Sequence, residues 1–330
     1  MGRGLLMAGM AVGLGAASAL AAATRTPRTA TSVSTARQKV QRMAPLAAHP
    51  VVALTFDDLP AAGGLPAGAT RTQILMQLAK ELRAEHLEGT YGFVTADDLE
   101  GDPDAQQALR DWVREGMRIG NHTWSHPELT GDSVGAYEQN IAQDEPALRA
   151  YSEGRDWHWF RFPYLEEGDT VGKREAVRGW LEAHGYRLAE VTLNFEDDDW
   201  SDAWERCAAK RDDAEIAWLQ QSYMANAAEF IQVGREEEEI AFGHEIPNVL
   251  ELHATEFTTL MLPDLLHLLR QEGFRFASLP RVERNSAYAM DAAAGLPDGG
   301  PLTNQFLNSR HLKYPPFKPE PTEQLNVACR

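Results

Sequence analysis

The chain has 330 residues, of which 43% are hydrophobic and 24% are charged, a composition typical of globular proteins rather than disordered or fibrous ones. Its formal net charge of −18 disfavours contact with phosphate backbones and with anionic membrane surfaces. No block of Lys and Arg interleaved with aromatic residues offsets this charge locally. We therefore expect no nucleic-acid partner.

Residues 1–23 have the order of a secretory signal peptide, in which a basic residue, Arg3, precedes an apolar stretch that ends in small residues at Ala23. The stretch is short and weakly hydrophobic for a membrane span, which needs about 20 apolar residues. Residues 24–48 are rich in Thr, Ser, Ala and Arg and are expected to form a spacer. The prediction is an exported protein, periplasmic or extracellular, with no integral membrane segment in the mature chain.

Beyond the spacer, short apolar runs typical of buried strands alternate with segments of helical spacing. The predicted strands cover residues 51–54, 91–94, 118–121, 159–162, 188–195, 249–252 and 274–277. Helices are predicted around residues 74–82, 104–116, 133–151, 173–185, 214–229 and 260–272. This alternation predicts one α/β barrel over residues 49–289, in which functional groups gather where strands end. Residues 290–330 are rich in Gly, Pro and Asn and are expected to form an extended tail.

Two cysteines, Cys207 and Cys329, are present, which excludes a disulfide framework and a cysteine-based zinc site. In an oxidising compartment one disulfide would tie the C-terminal tail to the body of the protein. Two free, buried thiols are an equally good interpretation, because nothing in the sequence brings the two residues together.

Acidic residues and histidines stand at the ends of two predicted strands. Asp57 and Asp58 are adjacent, and a bound cation would relieve the repulsion between two carboxylates that share a pocket. His122 and His126 are four residues apart, one helical turn, which would let both imidazoles point at one ion. Two imidazoles and one carboxylate leave positions open for water and substrate, so the set suits metal-assisted hydrolysis.

Three further polar segments also lie at predicted strand ends: residues 161–164, 197–200 and 250–253. Each segment alone has an ordinary interpretation, as a proline bend, a solvated acidic loop or a core histidine. Their joint occurrence at strand ends of one α/β chain favours a common site. By contrast, the acidic run of residues 236–239 is interpreted as a solvated surface.

The ordered set resembles the five motifs of the polysaccharide deacetylases, carbohydrate esterase family 4, also called the NodB-homology domain. The motifs are Thr55-Phe56-Asp57-Asp58, His122 with His126, Arg161-Phe162-Pro163-Tyr164, Asp199-Trp200 and Leu250-Glu251-Leu252-His253. The resemblance spans roughly residues 51–253. It implies a distorted (β/α) barrel and a hydrolase that depends on a divalent metal and removes acetyl groups from N-acetylated sugars, or less often O-acetyl groups from xylan.

The resemblance also implies a role for each motif residue. Asp57 would be the general base, held in place by Arg161, and the metal ligands would be Asp58, His122 and His126. Tyr164 would offer its backbone N–H to the developing oxyanion. His253 would be the general acid.

In the fourth motif, Asp199 would tune the pKa of His253, and Trp200 would form a wall of the acetyl pocket. Glu196 stands at the first acidic position of this motif, where Asp is usual. The difference bears on substrate choice more than on catalysis.

The leading hypothesis is therefore an exported N-deacetylase that acts on an acetylated glycan such as peptidoglycan or chitin oligomers. The alternatives are an O-acetyl (xylan) esterase, a hydrolase of non-sugar amides on the same barrel, and a non-catalytic carbohydrate-binding protein. The presence of both Asp57 and His253 favours an enzyme. Zinc is the default metal for this ligand set, and cobalt or nickel would also suit it. No heptad or repeat predicts an oligomeric state.

Overall fold

The computed structural model describes residues 50–61, 63, 65, 68–290, 296–297 and 299–330. The expected signal peptide and spacer lie outside these residues. Within the described ranges, no helix combines the length and the apolar character needed to cross a membrane.

Seven strands form one sheet, and every strand pair in it is parallel. The strands are β1 Val51–Leu59, β2 Tyr91–Val94, β3 Arg118–Asn121, β4 Trp159–Phe160, β5 Arg187–Leu188, β6 Asn248–His253 and β7 Arg275–Phe276. Their order is β5-β4-β3-β2-β1-β6, and β7 pairs with the first two residues of β1. Because all strands run the same way, their carboxyl ends meet at one edge of the sheet.

Helices connect most of the strands and cover the outside of the sheet. They are α1 Arg71–Ala84, α2 Pro103–Arg114, α3 Val134–Tyr151, α4 Val171–Ala183, α5 Ser201–Lys210, α6 Asp213–Phe242, α7 Glu256–Gln271, α8 Leu279–Val282, α9 Leu302–Ser309 and α10 Thr322–Val327. Most of the longer helices begin at a residue whose side chain accepts a backbone N–H of the first turn. Thr70 and Gln73 form a full capping box at α1, for example.

The chain after β5 crosses from one edge of the sheet to the other. β5 pairs with β4, whereas Leu193, five residues later, forms a parallel bridge with Leu250 of β6. The Leu193 amide donates to the Val249 carbonyl at 3.1 Å, and the Glu251 amide donates to the Leu193 carbonyl at 3.0 Å. The sheet is therefore curled into a distorted barrel, as expected. The single strand predicted over residues 188–195 is divided because its two parts bond to different edges.

The two faces of β1 have different surroundings because successive side chains of a strand point to opposite faces. The face towards the helices carries the apolar residues Val52, Leu54 and Phe56, which are buried in the main core. On the inner face, Ala53 packs in a second, smaller core cluster, and Thr55 and Asp57 continue this face towards the carboxyl end of the strand. The inner face of the barrel thus becomes polar where the strands end.

The C-terminal segment is not the extended tail that composition predicted, because it contains helices α9 and α10. Leu302, Phe306 and Leu307 of α9 are buried in a cluster that includes residues of α6. A disulfide joins Cys329, just after α10, to Cys207 in α5. Apolar residues spaced for one buried face and a covalent link hold this segment against the rest of the protein.

Helix α6 is longer than predicted and has a different environment. It continues to Phe242, and Glu237 and Glu238 within the acidic run of residues 236–239 are buried rather than solvated. Glu238 accepts the backbone N–H of Ile246 at 3.0 Å, and Glu237 accepts the hydroxyl of Thr303 in α9 at 3.0 Å. These local hydrogen bonds let carboxyl groups occupy a buried helix face.

Candidate active site

The strand register brings the motif residues to one end of the barrel. Asp57 of β1 is the register partner of His253 at the end of β6. His122 follows β3 directly, and Arg161 follows β4 directly. Since β1, β3, β4 and β6 are parallel members of one curled sheet, these four side chains converge on the same inner space.

A carboxylate and two imidazoles form a group with the composition of a metal site. Oδ1 of Asp58 lies 3.5 Å from Nε2 of His122 and 3.3 Å from Nε2 of His126. One ligand atom from each residue lies within 4.8 Å of the others. The sequence predicted these three residues as ligands, and the structure brings them together.

Hydrogen bonding gives His122 the tautomer that a metal ligand needs. Its Nδ1 lies 2.9 Å from the carbonyl oxygen of Arg161, which only accepts hydrogen bonds, so Nδ1 carries the proton. The lone pair is then on Nε2, which faces Asp58. Burial lowers the pKa of His126 to about 4, so its imidazole is neutral at pH 7. The donor set therefore fits a divalent cation that accepts nitrogen and oxygen ligands.

The two histidines do not share a helical turn, although their spacing suggested one. The segment between them is a loop in which Thr123 and His126 have positive φ angles of 71° and 54°. The Thr123 amide donates to Oδ1 of Asn121 at 2.8 Å, and the His126 amide donates to Oγ1 of Thr123 at 3.1 Å. Asp58 also has a positive φ, of 58°. Left-handed backbone at non-glycine residues is costly and gathers at functional sites.

Asp57 and Arg161 form a buried ion pair. Nη1 of Arg161 lies 3.1 Å from each carboxylate oxygen of Asp57, and Nη2 donates to Oγ1 of Thr55 at 3.2 Å. The arginine Nε donates to the carbonyl of Ala189 at 2.6 Å. Burial alone would raise the pKa of Asp57, but the positive charge of Arg161 outweighs it and holds that pKa below its usual value. Asp57 is therefore an anion beside the candidate metal site, with its Oδ2 atom 3.7 Å from Nε2 of His122.

A second buried carboxyl group, Glu251, shares Arg161 with Asp57. Its Oε1 lies 3.6 Å from Nη1 of Arg161, and its Oε2 has no hydrogen-bond partner among the described residues. Burial and the negative charge of Asp57 raise the pKa of Glu251 well above its ordinary value. Sequence reasoning assigned it no role. The available signal was a glutamate inside an apolar strand, at the position paired with Thr55.

His253 is bound by Asp197, and this corrects the prediction that Asp199 is its partner. Nδ1 of His253 lies 2.8 Å from Oδ1 of Asp197, and the His253 amide also donates to that carboxylate. Thr258 donates its hydroxyl to the other oxygen at 2.5 Å. Burial alone would lower the pKa of His253, but Asp197 raises it well above the ordinary value, so the ring is protonated at neutral pH.

The reason for the correction is the short 3-10 helix Asp197–Trp200. Its first residue, Asp197, is buried beneath His253, whereas Asp199 is exposed. Asp197 and Asp199 are two positions apart in a helix with about three residues per turn, so their side chains point in different directions. Asp198 makes a second, longer contact with His253, with 3.4 Å between Oδ1 and Nδ1.

The resemblance implied that Trp200 forms a wall of the acetyl pocket, but the structure places it in the core. Its side chain is fully buried at 0% exposure, and its Nε1 donates to Oγ of Ser222 at 2.8 Å. Its ring packs edge-on against Tyr223, with 5.6 Å between ring centroids. Trp200 is therefore a core residue that fixes the 3-10 helix to α6.

Tyr164 lies beside the candidate metal ligands. Its φ is 58°, and its ring is 64% exposed and packs edge-on against His126, with 4.5 Å between ring centroids. Among the hydrogen bonds of the described residues, none is donated by the Tyr164 amide. The amide is thus available to a ligand, as its predicted role requires.

Comparison with known proteins shows the family of this region. Residues 47–189 match the polysaccharide deacetylase family. This range contains Asp57, Asp58, His122, His126 and Arg161, and it ends before Asp197 and His253.

Solved structures with a similar arrangement have been found at low identity. A chitin deacetylase from Colletotrichum lindemuthianum is 19% identical, with a TM-score of 0.49, over 72% of this chain and 88% of that chain. A CE4 family pseudoenzyme from Bacillus anthracis is 16% identical, with a TM-score of 0.48, over 71% of this chain and 65% of that chain. The family match contains five of the motif residues, and it shows that residues 47–189 are similar to the polysaccharide deacetylases.

Proposed function

We propose that this chain is an exported, metal-dependent N-deacetylase that removes acetyl groups from the N-acetylated sugars of a glycan, of the peptidoglycan or chitin type. One observation carries the proposal. An anionic carboxylate, Asp57, is flanked by a candidate ligand set on one side and by a protonated imidazole, His253, on the other. A base and an acid close to a carbonyl-polarising centre are what amide hydrolysis needs.

The candidate ligands would be Asp58, His122 and His126. A divalent cation bound there would polarise the acetyl carbonyl and make a neighbouring water more acidic. Zinc is the metal we propose first, because two imidazoles and a carboxylate are a common zinc set, and cobalt or nickel would also fit.

The residues of the chain divide the proton transfers between them. Asp57, kept anionic by Arg161, accepts a proton from the attacking water at its carboxylate. The backbone N–H of Tyr164 donates to the carbonyl oxygen as negative charge develops on it. His253, whose Nδ1 is held by Asp197, donates a proton to the nitrogen of the leaving sugar amine from its other ring nitrogen. An amine leaves poorly without that proton, so the paired acid favours an amide over an ester substrate.

Export is supported by two independent features. The order of residues 1–23 is that of a signal peptide, and the Cys207–Cys329 disulfide is of a kind that persists in oxidising compartments. An export reporter fused to residues 1–23 would test this part: we expect the reporter to leave the cytoplasm, and retention inside the cell would contradict it.

The reaction is tested by acetate release from N-acetylated chito-oligosaccharides, peptidoglycan and acetylated xylan, with and without a chelator. We expect release from the N-acetylated glycans that stops with chelator and returns with zinc. Asp57→Asn should abolish release, whereas Asp264→Asn, an exposed carboxylate on α7, should not. Release from xylan alone would favour an esterase. No release from any substrate with metal bound would point to a non-sugar amide or to a binding protein.

A further inference from the structure

A cavity of about 840 Å³ lies between helix α6 and the C-terminal segment. Trp218, Gln221 and Asn226 of α6 contribute to one wall, and Lys318 and Glu320 contribute to the other. This volume lies within the usual range of pockets that bind small organic ligands. None of these residues has a part in the proposed acetyl transfer to water.

Two contacts connect this cavity to the candidate active site. Ser222, which also lines the cavity, accepts the Nε1–H of Trp200, and Glu320 lies close enough to Asp199 for their two carboxyl groups to repel each other. Trp200 and Asp199 belong to the 3-10 helix whose first residue, Asp197, holds His253. The cavity and the proposed general acid therefore both contact the same short element.

The wall formed by the C-terminal segment is fixed in place. The Lys318 amide donates to Oε1 of Glu229 in α6 at 3.1 Å. Further along, Arg206 donates to the carbonyls of Ala328 and Leu325 at 3.1 and 2.7 Å, beside the Cys207–Cys329 disulfide. The cavity is thus pre-formed, and a ligand would not have to order its second wall.

The chemistry of the walls favours a cationic sugar. Three acidic residues line the cavity, Glu229, Glu320 and Glu323, together with one basic residue, Lys318. Trp218 supplies an aromatic side chain, which attracts both the C–H face of a sugar ring and a nearby ammonium group. Burial and the neighbouring Asp199 raise the pKa of Glu320 to about 8, so this carboxyl group is protonated in the free cavity; an ammonium group bound beside it would lower that pKa and favour the charged carboxylate.

We propose that this cavity is a subsite for amino-sugar units that already carry a free, protonated amine, the deacetylated units of the glycan. The inference rests on the proposed deacetylase function, which would place such units next to the acetylated one at the active site. Binding there retains a partly deacetylated chain between successive reactions.

The test is calorimetric binding of a glucosamine hexamer, in mildly acidic buffer, to the full protein and its variants. Trp218→Ala should weaken binding about tenfold, the loss expected for one cation–π and stacking contact. Glu320→Gln should weaken it as well and reduce its dependence on salt. The matched controls are Trp180→Ala and Glu182→Gln on helix α4, which lies outside the cavity wall. Acetate release from an N-acetylglucosamine trimer is measured in parallel and should be unchanged in Trp218→Ala.

Two results would overturn the subsite. One is wild-type affinity for the glucosamine hexamer in both Trp218→Ala and Glu320→Gln. The other is equally tight, Trp218-dependent binding of the N-acetylated hexamer, because the cavity would then not select the free amine. If circular dichroism shows that Trp218→Ala is misfolded, the affinity of Glu320→Gln for the glucosamine hexamer is the deciding result. Absence of acetate release in the wild type would instead refute the proposed function, since calorimetry reports on the cavity without turnover.

Discussion

Nη1 of Arg161 lies 3.1 Å from both carboxylate oxygens of Asp57, and both side chains are about 1% exposed. A buried ion pair of this kind contributes little net stability while it is complete, but loss of one partner leaves an uncompensated charge in the interior. The pair therefore links the proposed base to the stability of the fold.

We expect Arg161→Leu to lower the free energy of unfolding by about 3–5 kcal/mol and to abolish acetate release, because Asp57 would lose its counter-ion. Urea denaturation followed by circular dichroism measures the first effect. The double variant Asp57→Leu with Arg161→Leu should be less destabilised than the sum of the two single variants. Strict additivity would show that the pair is not coupled.

The partner of His253 can be tested by the pH dependence of kcat. Asp197 raises the pKa of His253, so the ring keeps its proton to a higher pH. In Asp197→Asn that pKa falls, and the alkaline loss of activity should begin about 1–3 pH units lower. Asp199→Asn is the matched control, since Asp199 is exposed and does not contact the ring. A shift in Asp199→Asn instead would restore the original assignment.

The metal ligands can be tested by metal content. His126→Ala removes one of three candidate donors, and we expect metal affinity to fall at least about tenfold, in parallel with activity. Elemental analysis after dialysis against a dilute zinc buffer measures occupancy. His158→Ala, an exposed histidine distant in sequence from the ligands, serves as the control. Full occupancy in His126→Ala would remove His126 from the ligand set.

The raised pKa of Glu238 predicts how the stability of the folded protein changes with pH. Burial raises its pKa in the folded state from 4.5 to about 8, so folding favours its protonated form. Its stabilising contribution is complete below pH 4.5 and is lost as pH rises towards 8, at up to about 1.4 kcal/mol per pH unit. Thermal unfolding across this range should show a falling Tm, and Glu238→Gln should flatten the decline. An unchanged slope in this variant would assign the effect to other groups.

The part of the candidate site that could be predicted from the sequence consists of residues at the ends of strands. Asp57, Asp58, His122, Arg161 and His253 each stand at or near the end of a predicted strand. Because parallel strands end at one edge of a sheet, this placement alone predicts that the side chains converge. The α/β class follows in the same way from alternating strand and helix patterns.

Other features depended on packing between distant segments, which a linear pattern does not encode. Asp197 and Asp199 are indistinguishable in an acidic run, and only the orientation of the 3-10 helix buries one of them against His253.

The same physical reason explains the remaining differences. Trp200 is buried because α6 packs over it, and Cys329 reaches Cys207 because the C-terminal segment folds back along α5 across 122 residues of sequence. Local sequence determined where the strands lie and which residues are candidate metal ligands. Tertiary structure decided which carboxylate binds His253, which aromatic residue is part of the core, and where the cavity beside α6 forms, since each depends on contacts between residues far apart in the chain.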